Sequence, residues 1–224
     1  ERVLKARLSD ANFFWNADRS RSFENWNDKL KKVQFHEGLG SLHDKTKRMS
    51  KTSPFFSKLF QVNQDFAEEA AILSKADLVS EMVGEFPELQ GIMGGYYSKL
   101  RGHPKEVSDA IFEHYKPKGI LDTIPKTKLG CLLSIIDKID TLTGFFIINK
   151  QPTGSKDPFA LRRSGFAIVQ ILITHNLSIS VNDIFLEAFK AYTKYSEKTH
   201  NTFNKIIINK IKFILNKQNQ SGDI

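Results

Sequence analysis

Residues 129–142 read LGCLLSIIDKIDTL, and the apolar side chains in this stretch recur at steps of three and four residues. Leu132, Ile135, Ile139 and Leu142 therefore fall on one face of a helix with about 3.6 residues per turn. The same spacing continues over most of the chain, both before and after this stretch. The sequence thus predicts an all-α fold, a multi-helix bundle.

Glycine and proline residues divide this pattern into roughly eight to ten helices joined by short loops. The predicted breaks lie at Gly38 and Gly40, at Pro54, and at residues 84–87, 102–104, 117–125 and 152–158. Pro87 is predicted to begin a new helix, because proline suits the first helical turn and disfavours helix in the residue before it. Glu81, Glu85 and Glu88 would then form a structural corner, with a catalytic pair of acids as the alternative.

A change in composition predicts a boundary within the chain. Residues 1–180 would form one helical domain, and residues 181–224 a basic helical extension or linker. The segment at 194–217 contains six lysines and one acid, whereas both signs are mixed before it. Ser180 or Asn182 could cap the helix that begins the extension.

The bulk composition is that of a folded, basic protein. Of its 224 residues, 40% are hydrophobic and 26% are charged, so the chain can bury a core. Its formal net charge of +8 favours an anionic partner such as RNA, an acidic protein or a membrane surface. Composition alone does not choose among these partners.

Three further features bear on where the protein works. The single cysteine, Cys131, excludes an internal disulfide, and its apolar neighbours predict an inert buried thiol. There is no run of about 18 apolar residues and no secretory leader, so a cytoplasmic protein without a membrane span is expected. The chain begins at Glu1 without a methionine and ends just after a periodic segment, so it is expected to be a piece of a longer protein.

Four stretches of the chain carry a resemblance to a known family. They are RLSDA at 7–11 followed by Phe13-Phe14, SKADLV at 74–79 with EMV at 81–83, EFPELQG at 85–91, and PTGSKDPFALRR at 152–163. In these strings and in their order, the chain resembles an interior segment of the β subunit of the bacterial two-subunit glycyl-tRNA synthetase. The resemblance covers essentially the whole chain and weakens after Leu177.

The resemblance implies tRNA handling rather than bond making. In that family the α subunit carries out ATP-dependent activation and transfer of glycine, while the much longer β subunit binds and positions tRNA. This segment is therefore expected to be a non-catalytic, accessory tRNA-binding part of a glycine–tRNA ligase. Its expected partners are glycine tRNA and the α subunit, in an α2β2 assembly. ATP and Mg²⁺ are expected on the α subunit, and no cofactor is expected in this segment.

The family's segment at this place is similar to the HD phosphohydrolase fold, in which a His, a His-Asp pair and a later Asp hold a metal. His36 and Asp137 could occupy the first and last positions, but the middle pair falls in SKAD at 74–77, which has no histidine. The missing imidazole and the added lysine disfavour a divalent cation, so a retained scaffold without metal is predicted. The alternatives are a metal-dependent phosphohydrolase that uses His36, Asp77 and Asp137, and a purely structural subunit-contact domain.

The dipeptide His43-Asp44 matches the His-Asp pair literally. It lies seven residues after His36, in a stretch that the pattern predicts to be a polar helix, where His36 and His43 would share one face. This spacing could hold a metal. The favoured interpretation is a surface histidine beside a solvated carboxylate.

Residues 152–163 have the best local chemistry for binding an anion. Asp157 and Pro158 suit the N-cap and the first position of a helix, whose free N–H groups attract phosphate. The predicted tRNA-binding residues here are Lys156, Arg162 and Arg163. The alternative is that Asp157 caps those N–H groups itself.

Lys99 and Arg101 are a second predicted pair of tRNA-binding residues, and they follow Tyr96 and Tyr97. Aromatic and cationic side chains are interleaved in this way on surfaces that bind single-stranded nucleic acids. Adjacent tyrosines cannot both face the core of a helix, so one of the two is expected to be exposed. Ordinary amphipathic packing is the alternative.

Overall fold

The computed structural model describes residues 2–119, 121–150, 152 and 157–192. These residues form ten α-helices, two 3-10 helices and a two-stranded hairpin, which confirms the predicted helical class. The α-helices are α1 (Arg2–Arg19), α2 (Phe23–Leu30), α3 (Leu42–Phe60), α4 (Gln64–Leu73), α5 (Glu81–Glu85), α6 (Ile92–Leu100), α7 (Lys105–Glu113), α8 (Lys128–Ile147), α9 (Leu161–Thr174) and α10 (Val181–Lys190). The strands are β1 (Gln34–His36) and β2 (Gly40–Ser41), and the 3-10 helices are Ala76–Val79 and Pro87–Leu89. None of the described helices is both long and apolar enough to span a membrane.

Helix α8 lies at the centre of the bundle. Its neighbours are α3, α4, α7, α9 and α10, and every residue from 129 to 140 is buried. A helix that is covered on all sides needs apolar residues around most of its circumference, and each fully buried leucine or isoleucine contributes about 1.5–3 kcal/mol. Cys131 is buried, as predicted, and burial raises its pKa to about 12, which disfavours the reactive thiolate.

Helix α3 runs without interruption through Pro54, so the predicted break at this proline is wrong. Proline has no N–H group to donate to the carbonyl four residues earlier. That carbonyl belongs to Ser50, and it accepts instead from the hydroxyl of Ser53 at 2.8 Å. At its start, α3 has a capping box in which Ser41 and Asp44 satisfy each other's backbone N–H groups. Asp44 is therefore a helix cap.

A short hairpin precedes α3 and departs from the all-α prediction. Gly38 and Gly40 have φ values of +84° and +82°, which favour glycine, and they let β2 turn back on β1. His36 lies on β1, whereas His43 lies on α3. The predicted polar helix that would carry both histidines on one face is therefore wrong, because the glycines allow a turn that a helix does not contain.

The corner at Pro87 has the predicted structure. Helix α5 ends at Glu85, Phe86 has a non-helical backbone, and Pro87 is the first residue of a 3-10 helix. The carboxylate of Glu81 pairs with Arg21 at 2.8 Å. The predicted corner is therefore present, and Glu81 takes part in it through its pair with Arg21.

Helix α10 begins as predicted, with Ser180 as its N-cap. It packs on α3 and α8 and buries Ile184, Phe185 and Phe189. Residues 181–192 thus share the core of the preceding helices. The rest of the predicted extension, including the lysines of 194–217, lies outside the described residues, and the division after residue 180 stays a prediction.

Candidate functional site

The carboxylate of Asp137 lies on α8, where a metal ligand was considered, and it is held by two lysines from other elements. Lys45 of α3 is 3.0 Å from its Oδ1 atom, and Lys75, which follows α4, is 2.9 Å from its Oδ2 atom. Lys45 Nζ also donates to Asp140 Oδ2 at 3.2 Å and to Thr141 Oγ1 at 2.8 Å. Both carboxylate oxygens of Asp137 therefore contact protein cations.

His114, at the end of α7, completes this arrangement. Its Nδ1 atom lies 2.6 Å from the Ile111 carbonyl oxygen, and its Nε2 atom lies 2.9 Å from Lys75 Nζ. Burial lowers the pKa of His114 well below the ordinary histidine value, and the charge of Lys75 lowers it further. The ring is therefore neutral, and its contacts assign the proton to Nδ1, so that Nε2 accepts from Lys75.

The pKa shifts follow from burial and charge. Burial acts to raise the pKa of Asp137, but the charges of Lys45 and Lys75 hold it well below its usual range. Burial lowers the pKa of Lys75, and Asp137 opposes that shift. Burial also lowers the pKa of Lys138 to about 8, and its ammonium group donates to Ser134 Oγ at 2.8 Å. Each of these buried lysines thus has a hydrogen-bond partner, which buried charges require, although the partners of Lys138 are uncharged.

Arg48 makes a second buried ion pair between α3 and α8. Its Nε and Nη2 atoms donate to the two carboxylate oxygens of Asp140 at 2.7 and 3.1 Å. The ring of Tyr192 covers the guanidinium group, and the Tyr192 hydroxyl donates to the Asp140 carbonyl at 2.9 Å. Paired bonds of this kind fix orientation as well as distance. We refer below to Lys45, Arg48, Lys75, His114, Asp137 and Asp140 as the buried charge cluster.

The predicted metal ligands do not come together. The ring of His36 packs against two phenylalanine rings at the hairpin. Asp77 Oδ2 accepts from two backbone N–H groups, at 2.6 and 2.9 Å. Within the described ranges, no three His, Cys, Asp or Glu side chains are grouped so that they could hold a metal ion. Because ammonium groups already bind both oxygens of Asp137, these residues do not fit a divalent cation.

Asp77 is a buried acid with an unusual balance of contacts. Burial raises its pKa to about 6, although the N–H groups of Gly91 and Gly94 act in the opposite direction. Its Oδ1 atom has no hydrogen-bond partner among the described atoms. An unpaired buried oxygen disfavours the charged form. Asp77 therefore links its 3-10 helix to α6, and its contribution to the free energy of folding depends on pH.

Arg101, a predicted tRNA-binding residue, is already bound to the protein. Its guanidinium group donates to the carbonyl oxygens of Arg21, Asp18 and Tyr97, the last two at 3.0 and 3.2 Å. It also lies over the ring of Trp26, 4.7 Å from the centroid. These contacts fix the turn between α1 and α2 against α6. The tRNA-binding role of Arg101 stays a prediction, beside this structural one.

The other predicted contacts are spread over the molecule. Lys99 and Arg163 are exposed, on α6 and α9 respectively. Helix α6 packs chiefly on α7, whereas α9 packs on α8. Lys156 lies outside the described residues, and the backbone N–H of Arg162 donates to Asp157 at 3.0 Å. The exposure and packing of these residues do not test whether they bind tRNA.

The start of α9 differs from the predicted start. The helix begins at Leu161, after Ala160 in a left-handed conformation, so Pro158 is not its first residue. Asp157 is not the N-cap either, but its carboxylate reaches the helix end and accepts from the N–H groups of Leu161 and Arg162 at 2.8 and 3.0 Å. The sequence predicted a helix start at Asp157 and Pro158 because proline is common at the first position of a helix. An anion at these N–H groups would have to displace this carboxylate.

The tyrosine pair of α6 has the predicted arrangement. Tyr97 is fully buried and donates to Asp18 at 2.8 Å, whereas Tyr96 is 52% exposed. Leu100, one turn further on, is also 52% exposed, and Phe112 of α7 is 41% exposed. The rings of Tyr96 and Phe112 meet edge to face at 5.9 Å. Tyr96, Leu100 and Phe112 thus form an exposed apolar patch between α6 and α7.

Sequence reasoning missed a row of lysines on α3. Lys47, Lys51 and Lys58 are exposed, and none makes an ion pair with another described residue. The signal was their spacing of four and seven residues, which keeps side chains on one helical face. The break predicted at Pro54 hid it, because a helix ending there would have separated Lys58 from the other two.

The described residues form a helical scaffold whose apolar core contains buried ion pairs and whose surface carries an exposed row of lysines on α3. The family model described as glycyl-tRNA synthetase beta subunit matches residues 1–224, and the chain belongs to this family. It is 47% identical over 193 residues to the glycine–tRNA ligase beta subunit of Syntrophomonas wolfei, and 44% identical over 192 residues to those of Acinetobacter baumannii and Pseudomonas fluorescens. Each match covers 86% of this chain but 28% of the relative, so the chain spans under a third of the relatives' length.

Proposed function

We propose that this chain is a tRNA-binding and tRNA-positioning segment of a glycine–tRNA ligase β subunit. The partner α subunit binds ATP and Mg²⁺ and attaches glycine to the tRNA, in a cytoplasmic α2β2 assembly. The observation that carries this proposal is the family match over the whole chain, together with 44–47% identity to glycine–tRNA ligase beta subunits. The net charge of +8 supports a polyanionic partner.

The bundle itself serves in this proposal as an HD-like scaffold that has lost its metal. The ammonium groups of Lys45 and Lys75 neutralise Asp137, at a place where a cation would neutralise it in a metal-dependent enzyme. No observation favours a phosphohydrolase reaction. The scaffold's contribution is a rigid set of helices that hold surface residues in place.

Lys99 and Arg163 are the predicted tRNA contacts that the geometry supports best, because both are exposed. Their separation on α6 and α9 fits two contact points on a large ligand such as tRNA. Lys156 and Arg162 remain proposed contacts beside Arg163. Arg101 is better placed to hold α6 than to meet a phosphate, since three protein carbonyls already accept from it.

A second function, contact between subunits or domains, is favoured by the exposed apolar patch of Tyr96, Leu100 and Phe112. Protein interfaces are enriched in aromatic side chains and depleted in lysine at their centres. The two functions are compatible, because the patch and the exposed lysines of α3 lie on different helices. Replacing Tyr96 and Phe112 with serine should weaken subunit association and leave the salt dependence of tRNA binding unchanged.

Cross-linking of glycine tRNA to the complete two-subunit enzyme tests the proposed function. Short-wavelength irradiation followed by mass spectrometry would map the peptides that contact RNA, with an unrelated tRNA as the control. The proposal predicts cross-linked peptides within residues 2–192, lost when unlabelled glycine tRNA competes. Cross-links confined to other parts of the enzyme, with this segment free of them, would overturn it.

A further inference from the structure

Helix α3 presents opposite chemistry on its two sides. Lys45 and Arg48 point inward and belong to the buried charge cluster, whereas Lys47, Lys51 and Lys58 are exposed. At about 100° per residue the three exposed lysines lie within about 40° of arc, and they span about 16 Å along the helix. They therefore form a straight row of positive charge.

The row continues toward the end of α2. Burial lowers the pKa of His43, and the charges of Lys47 and Lys31 lower it further. Lys31 and Lys32 also line a shallow pocket of about 280 Å³ beside the hairpin. We call Lys31, Lys32, Lys47, Lys51 and Lys58 the basic face.

Acidic side chains neutralise only part of the basic face. Asp44 lies on the same side of α3, but its carboxylate accepts from the backbone N–H and the hydroxyl of Ser41, both at 2.8 Å. Asp28 pairs with Lys31 at 2.6 Å, and both side chains are largely exposed. The remaining lysines make no ion pair with any described residue. Unpaired lysines held in a row attract a polyanion more strongly than scattered ones do.

The chemistry of the basic face fits RNA better than it fits a protein. None of the large apolar side chains that are exposed among the described residues lies on α2 or α3. A protein partner needs an apolar centre and tolerates few lysines there, whereas phosphates are bound by lysines without one. The apolar patch on α6 and α7 has the opposite composition.

We propose that the basic face, on α3 and in the turn after α2, binds the phosphate backbone of RNA. The proposal rests on the proposed function for the class of partner, and it adds a surface that the sequence motifs did not indicate. Lys45 and Arg48 tie α3 to α8, so the lysines on the other side of the helix stay aligned when RNA binds. Lysine contacts a phosphate as a point charge, so the face recognises the backbone and not the base sequence.

The test uses the complete two-subunit enzyme with Lys47, Lys51 and Lys58 all changed to Gln. The matched control changes Lys118, Lys126 and Lys128 to Gln, which removes the same charge from exposed lysines that precede or begin α8. Affinity for glycine tRNA and for an unrelated tRNA is measured over a series of salt concentrations. Thermal unfolding confirms that both variants are folded.

Three lost phosphate contacts should reduce the slope of log K against log salt by about 2–3 and weaken binding about tenfold or more, by the same factor for both tRNAs. The control variant should match the wild type. Equal binding by wild type and the α3 variant would overturn the proposal and leave the proposed function intact, provided that tRNA still cross-links to residues 2–192. Equal weakening in the control would also overturn it, since net charge alone would then explain the loss. Absence of cross-links to this segment would reject both.

Discussion

The two sides of α3 use the same residue types for different purposes. On the inner side, Lys45 contacts two carboxylates and a hydroxyl, and Arg48 holds both oxygens of Asp140. On the outer side, Lys47, Lys51 and Lys58 have no partner among the described residues. A lysine inside a bundle must be paired because its desolvation is costly, whereas a lysine in water is free to meet a ligand. Position, and not residue type, therefore decides whether a cation holds the fold or stays available to a ligand.

This comparison limits what net charge can indicate. The formal charge of +8 counts Lys45, Lys75 and Lys138 together with the exposed lysines, yet all three are buried and bound to protein atoms. The surface that a ligand meets is set by the remaining cations and by their alignment. Mutations on the two sides of α3 should therefore differ in their effect on stability, and the comparison fails if they do not.

The largest effect is expected from Asp137→Ala. It leaves the ammonium groups of Lys45 and Lys75 buried without their common carboxylate, which should cost about 3–5 kcal/mol in the free energy of unfolding. Urea unfolding of the purified chain measures this. Glu187→Ala, which removes a surface partner of Lys190, is the control and should cost about 0–1 kcal/mol. A loss from Asp137→Ala as small as the control's would show that the cluster does not hold the bundle together.

Asp77→Asn should have an effect that depends on pH. The folded-state pKa of about 6 lies above the ordinary aspartate value, so the folded state binds the proton more tightly. The stability that this group contributes is present below the unfolded pKa and is lost as pH rises through about 6. Relative to the wild type, the Asn variant should gain about 1–3 kcal/mol between pH 4 and pH 7.5. A difference that does not change over this range would contradict the assignment of Asp77 as the titrating group.

Tyr97→Phe should be destabilising, and Tyr96→Phe should not. The buried hydroxyl of Tyr97 donates to Asp18, whose carboxylate also accepts from the N–H groups of Glu81 and Met82. Loss of a hydrogen bond to a charged group costs about 1.5–3 kcal/mol. The neighbouring tyrosine is exposed and provides a matched control in thermal unfolding. Equal changes in the two melting temperatures would mean that the Asp18 contact does not hold α1 in place.

The smallest effect on stability is expected from the triple change of Lys47, Lys51 and Lys58 to Gln. Exposed side chains without partners usually change stability by less than about 0.5 kcal/mol each. The purified variant should unfold within a few degrees of the wild type. A large destabilisation would place these lysines with the buried ones and remove the contrast between the two sides of α3.

Some of this fold could be predicted from the sequence, because it depends on local chemistry. The spacing of apolar residues at 129–142 indicated the central helix, and Pro87 marked a corner by its missing N–H group. The passage of α3 through Pro54 was not predictable in the same way, since it depends on Ser53 replacing the lost hydrogen bond to Ser50. The hairpin beside His36 was missed because two glycines suggested only a break.

The candidate site was less predictable than the fold. Lysines are seldom buried, so nothing in the local sequence marked Lys45 or Lys75 as partners of Asp137, which lies more than 60 residues further along. Arg101 looked like a surface cation, yet its role depends on carbonyl groups of α1 and of the turn that follows it. The exposed row on α3 becomes visible only when the helix is known to be continuous. The structural cations differ from the exposed ones in having partners far away in the sequence, and not in residue type.

The most direct test of this account is lysine footprinting of the complete enzyme with and without glycine tRNA. An amine-reactive reagent labels exposed lysines, and mass spectrometry measures the labelling of each one. The account predicts that Lys47, Lys51 and Lys58 are labelled in the free enzyme and protected by tRNA, while Lys118 and Lys126 react equally in both states and Lys45 in neither. Unchanged labelling of the α3 lysines on addition of tRNA, or ready labelling of Lys45 in the folded enzyme, would contradict it.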